Sequence, residues 1–138
     1  MKRLLYFVLL ITVLAPTLLT AACASPSHDM KMATVNTLPP KIQNAPTRVR
    51  EAYQFAVANP DALKNVPCYC GCGGIGHTSN YSCYYSEAKQ VFDEHALGCS
   101  VCVDIAQDVM KLMRDGKSPP DIRATIVSTY SQFGPPNQ

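Results

Sequence analysis

The chain has 138 residues, with 12 Lys and Arg against 10 Asp and Glu, and two of the positive charges behind its net +2 are Lys2 and Arg3. A balance so close to neutral, with no basic stripe and no RNA-binding signature, excludes nucleic acid as the expected partner. Setting aside the first third of the chain leaves about 90 residues, enough for one core.

Met1-Lys2-Arg3 is a positive n-region, Leu4 to Leu19 an apolar run broken by Thr12, Pro16 and Thr17, and Thr20-Ala21-Ala22 supplies small residues before Cys23. The run is short for a membrane span, and residues 1–22 are read as a cleaved signal peptide. Leu19-Thr20-Ala21-Ala22-Cys23 resembles a bacterial lipobox, which implies lipidation of Cys23 and an extracytoplasmic domain anchored to the bacterial cell membrane through its lipid. Residues 23–46 carry Pro26, Pro39, Pro40 and Pro46 among polar residues and read as a flexible tether. Within it, His28, Met30 and Met32 alternate as soft donors suited to Cu(I), set against the plainer reading that they are incidental.

The domain, residues 47–138, is expected to be all-α. A helix from Thr47 to about Ala58 is predicted by Val49, Ala52, Tyr53 and Ala56. Asn59-Pro60 restarts a short helix. Cys68 to Tyr85 has four glycines and no period, so it reads as a functional loop. Ser86 is the expected cap of a helix over 87–97, with Gly98 in the left-handed position after it. Cys99 or Ser100 opens a helix to about Asp115, its apolar face Val101, Ile105, Val109, Leu112 and Met113. Ser118-Pro119-Pro120-Asp121 starts the last helix, which Gly134-Pro135-Pro136 ends. No segment alternates as a strand, so the expected fold is a small helical bundle with a cysteine- and glycine-rich loop.

The chemistry lies in Cys68, Cys70, Cys72, Cys83, Cys99 and Cys102. Three readings compete for them. Outside the cytosol six thiols can form three disulfides, but Cys68, Cys70 and Cys72 would then need three partners converging on five residues. A metal site is the leading reading, because thiolates select Cu(I), zinc or iron-sulfur clusters and a glycine-rich loop lets several sulfurs converge. His77 and His95 are candidate additional ligands, although a lone histidine is more often an ordinary surface residue. Six thiols exceed the four ligands zinc takes, so Cu(I) is the leading ion. The third reading is thiol-disulfide exchange, with Cys99 near a helix N-terminus as nucleophile and Cys102 resolving the mixed disulfide.

Other chemistries fare worse. Asp93, Glu94 and His95 are consecutive and would face apart on a helix. Gly73-Gly74-Ile75-Gly76 lacks the lysine and the strand-to-helix setting of a phosphate loop. Met110 and Met113 belong to the core face. The chain is therefore read as a binding protein rather than an enzyme.

Pro67-Cys68-Tyr69-Cys70-Gly71-Cys72-Gly73, then Gly76-His77-Thr78-Ser79, Cys83, Asp93-Glu94-His95 and Gly98-Cys99-Ser100-Val101-Cys102 together resemble the bacterial PCYCGC-motif lipoproteins, from about Thr47 to Phe133. That resemblance implies metal binding at the motif. The stretch from Cys99 to Tyr130 also resembles the thiol-bearing helical subunit of the cytochrome c maturation machinery, which implies disulfide exchange at Cys99 and Cys102. The expected function is a carrier, sensor or sink for a soft metal, with a metal donor or acceptor, or a thiol-redox protein, as partner.

Overall fold

A computed structural model of the chain describes residues 29–138. The expected signal peptide, the expected lipidation site Cys23 and the candidate donor His28 lie outside the described residues. The elements are α1 (Pro40–Gln43), α2 (Thr47–Ala58), α3 (Pro60–Lys64), β1 (Tyr85–Ser86), β2 (Val91–Phe92), α4 (His95–Gly98), α5 (Ser100–Arg114) and α6 (Pro119–Tyr130). Short 3-10 turns at Cys72–Ile75 and Tyr81–Cys83 interrupt the cysteine loop. The fold is thus a small, mostly helical bundle with a cysteine-rich loop region, as expected. Among the described residues no helix is long and apolar enough to cross a membrane.

The central helix α5 packs against both α2 and α6. It buries Cys102, Val103, Ile105, Ala106, Val109, Met110 and Met113, positions that recur at helical spacing and so form one broad apolar face. Opposite it, α2 buries Ala52, Tyr53, Phe55 and Ala56, and α6 contributes Ile122, Ile126 and Tyr130. Helix boundaries follow local chemistry. Gly116 ends α5 at φ 71°, a left-handed position that glycine adopts without penalty. The Ser118 hydroxyl then accepts from the Asp121 N–H at 3.4 Å, with Pro119 in the first helical position of α6.

Two expectations are corrected. The tether reading fails from Lys31 onward, because Leu38 and Ile42 are 3% and 1% exposed and plug into the core. Ala33 donates its N–H to the Gln54 carbonyl at 3.1 Å, and Asn59 exchanges hydrogen bonds with the backbone of Lys31. Two apolar side chains four residues apart suffice to dock a segment whose prolines suggested an open linker. Met30 packs against this core and Met32 is exposed.

The helix expected over 87–97 is absent apart from α4. Glu87, Ala88, Lys89 and Gln90 are good helix formers but all exposed, and without an apolar face nothing in the bundle holds them helical. They form instead the turn of an antiparallel ribbon in which Tyr85 pairs with Phe92 and Ser86 with Val91, and Gln90 takes a φ of 55°. The ring of Tyr85 meets Phe92 edge-on at 5.6 Å. Gly98 closes α4 without entering the left-handed region, and extended Cys99 (φ −115°, ψ 101°) becomes the cap of α5.

Candidate metal centre

Three pieces of chain meet at the cysteines: the loop after Pro67, the turn holding Cys83, and the start of α5. Gly71 and Gly76 stand at φ 80° and 91°, and these left-handed turns fold the loop tightly around Cys72. The next turn is closed by Ser82, whose hydroxyl accepts from the N–H groups of Thr78 and Ser79 at 3.0 and 3.1 Å. This delivers Cys83, fully buried, against Cys72.

All six sulfurs converge. Cys102 Sγ lies 3.3 Å from Cys68, 3.3 Å from Cys99 and 3.6 Å from Cys70, while Cys68 and Cys70 are 3.5 Å apart and Cys72 and Cys83 3.8 Å. All six are free thiols. A tetrahedron with metal-sulfur bonds of about 2.3 Å has edges of about 3.8 Å, so the spacing resembles the one a thiolate-bound ion imposes. Both histidines join the cluster. Cys70 Sγ is 3.5 Å from His95 Nε2, and the rings of His77 and His95 meet edge-on at 5.1 Å. The donor atoms of Cys70, His95, Cys99 and Cys102 fall within 4.8 Å of one another, as do those of Cys72, His77, Cys83 and His95. Every one of the eight donors expected from the sequence is therefore in one place.

The electrostatics explain why such a cluster wants a cation. Hydrogen bonding from Cys102 and Cys83 holds the Cys68 thiol far below its ordinary range. Cys70, Cys72, Cys83 and Cys102 resist ionisation. Burial raises Cys70 and Cys72, the bond to Cys68 raises Cys102, and Cys83 is driven up by Cys68 and burial despite a bond from Cys102. A positive ion at the centre of the cluster would relieve this mutual opposition.

Residues outside the expected set position the donors. Asp93 is the chief of these, and its Oδ2 stands 3.3 Å from His77 Nε2 while its Oδ1 accepts the His95 N–H at 2.8 Å. The other ring nitrogen of His77, Nδ1, is buried without a hydrogen-bond partner. A carboxylate on one imidazole nitrogen, with the other nitrogen free of partners, is the arrangement in which a histidine ligates a metal. The Tyr53 hydroxyl fixes Asp93 through its carbonyl at 2.7 Å. Tyr84 and Asn80 donate to the Cys102 carbonyl at 2.7 and 3.2 Å, pinning the start of α5.

The C-terminus completes the setting. Asn137 accepts the Cys68 N–H at 2.7 Å, returns its own N–H to the Cys68 carbonyl at 3.1 Å, and directs its amide nitrogen to Cys72 Sγ at 3.4 Å. Nothing in the pattern of the sequence marks Asn137 for this role, since it follows two prolines at the chain's end. A groove of about 520 Å³ runs past Lys64, Tyr81, Tyr85 and Glu87, reaching His77 and Asp93 but no cysteine.

The chain belongs to the family described as "Protein of unknown function with PCYCGC motif", whose model matches residues 20–138. No curated protein and no solved structure matches it.

Proposed function

We propose that this PCYCGC-family chain binds a thiophilic metal ion through Cys68, Cys70, Cys72, Cys83, Cys99, Cys102, His77 and His95, as a carrier, sensor or sink without turnover. The observation that carries the reading is the convergence of two imidazoles on six thiols, one with a buried, partnerless nitrogen. A network of disulfides has no use for imidazoles. Sulfur-rich donors select Cu(I), the ion favoured by ligand softness. The four-donor groups, which mix sulfur with imidazole, favour zinc as the second ion. Iron-sulfur ligation has less support, because two of the eight donors are nitrogen. We further propose that Cys23 carries the lipid that anchors the domain outside the cytoplasm, where a metal-donating or metal-accepting protein meets it.

The reading is tested by alkylation. The reduced protein, given zinc or Cu(I) without oxygen, is expected to shield its six domain cysteines from iodoacetamide, and alkylation at the same rate with and without either ion sinks the proposal. A thiol-redox reading rests on one observation: half-buried Cys99 caps α5 with its sulfur 3.3 Å from Cys102. It predicts that the two sulfurs interconvert with a disulfide while the other four do not, which the same alkylation experiment in a graded redox buffer reads.

A further inference from the structure

We infer that the centre holds two ions in two unequal Cys3His sets, an inference that rests on the metal-binding reading above. The partition follows from the distances. Cys70, Cys99, Cys102 and His95 lie within 4.8 Å of one another and make a complete four-donor set. Of the remaining donors, Cys72, Cys83 and His77 also lie mutually within 4.8 Å. Cys68 lies 3.3 Å from Cys102 and 3.5 Å from Cys70, and also within 4.8 Å of Cys72 and of Cys83; with the first set already complete, it is the donor left to be the fourth ligand of the second.

His95 is also near the second set, but one imidazole nitrogen serves one ion. Its Nε2 faces Cys70 at 3.5 Å, and the first set has only three sulfurs without it. Every donor is then used once. Each set offers three thiolates and a neutral imidazole, a combination that satisfies four-coordinate zinc. Cys68 and Cys102, 3.3 Å apart, stand where the two sets meet.

The sets differ in access. Cys68, Cys72, Cys83 and His77 are all buried, and His77 is held by Asp93 while Asn137 covers Cys72. In the first set only Cys102 is buried; Cys70, Cys99 and His95 are each partly exposed. Exchange of a thiol-bound ion proceeds by an incoming ligand replacing one donor at a time, so the exposed set exchanges first and the buried set retains its ion. The exposed set is the transfer site, and the buried set fixes the loop that builds it.

Zinc is the probe that tests this. The reduced protein, saturated with zinc and examined by native mass spectrometry, is expected to carry two ions. A chromophoric chelator in excess is expected to remove one equivalent in a fast phase and the second at least tenfold more slowly. Cys99→Ser is expected to bind one ion and lose the fast phase; His95→Gln repeats that result at a half-buried position with little risk to folding. Cys83→Ser is expected to bind one ion and lose the slow phase. One ion in the wild-type protein, or two released in a single phase, overturns the two-set assignment and leaves metal binding intact. No zinc and no Cu(I) bound overturns both.

Discussion

Cys102→Ser is expected to weaken binding of zinc or Cu(I) at the partly exposed set by more than about 100-fold, beyond the roughly 10–100-fold that follows from disturbing a partner of a ligand. Cys102 is fully buried at the first turn of α5, and its sulfur approaches Cys68, Cys70 and Cys99 within 3.6 Å. Serine has nearly the same shape, but its hydroxyl is a hard, weakly acidic ligand that does not replace a thiolate on a soft ion. The groups that anchor this turn, Tyr84 and Asn80, hold the Cys102 carbonyl rather than its side chain and are untouched by the change. Far-ultraviolet helicity of the reduced variant should therefore match the wild type. Competition against a chelator of known affinity measures the effect, and unchanged affinity in a folded variant would remove Cys102 from the ligands.

The second large effect is thermal. An ion that binds only the folded state stabilises it by about 4 kcal/mol when present at roughly 1,000 times its dissociation constant. For a domain of about 100 residues that corresponds to a rise in Tm of roughly 15 °C or more. The contribution is expected to fall on the loop. Leu63, Phe55, Ile105, Val109 and Ile126 are fully buried on the helices, so the bundle has a core of its own, whereas the segment from Cys68 to Cys83 is held by short turns and a few hydrogen bonds. Calorimetry of the reduced protein with zinc and with excess chelator reads the shift. The same pair of scans on the double variant Cys83→Ser, Cys102→Ser, which takes one cysteine from each set, should differ by little, and a full shift in that variant would mean that the ion stabilises the fold from elsewhere.

The helices that pack on one another were legible because their apolar side chains repeat at helical spacing and their ends carry strong signals, Ser118-Pro119 and Gly116 above all. The donors were legible too, since six cysteines in one short stretch leave few uses for sulfur. What stayed hidden depends on contacts between distant residues. Glu87 to Gln90 favour a helix by composition, and only the pairing of Tyr85 with Phe92 makes them a turn. Asp93 looked unable to work with His95 because a helix would turn them apart; the chain is irregular between β2 and α4, and Asp93 reaches the His77 ring and the His95 backbone N–H. Leu38 and Ile42 seemed too few to matter among prolines, yet a core missing two side chains accepts them. Asn137 could be found only by folding the chain end back onto the loop.

The central claim is that these thiols hold a metal, and the most direct measurement is a count of metal and free thiols on protein purified without oxygen from cells supplied with copper and zinc. Bound copper or zinc, with six domain thiols that become reactive once a chelator removes the ion, is the predicted result. Protein with no metal, no free domain thiols and a mass short by six hydrogens would contradict it, and would make the cluster three disulfides.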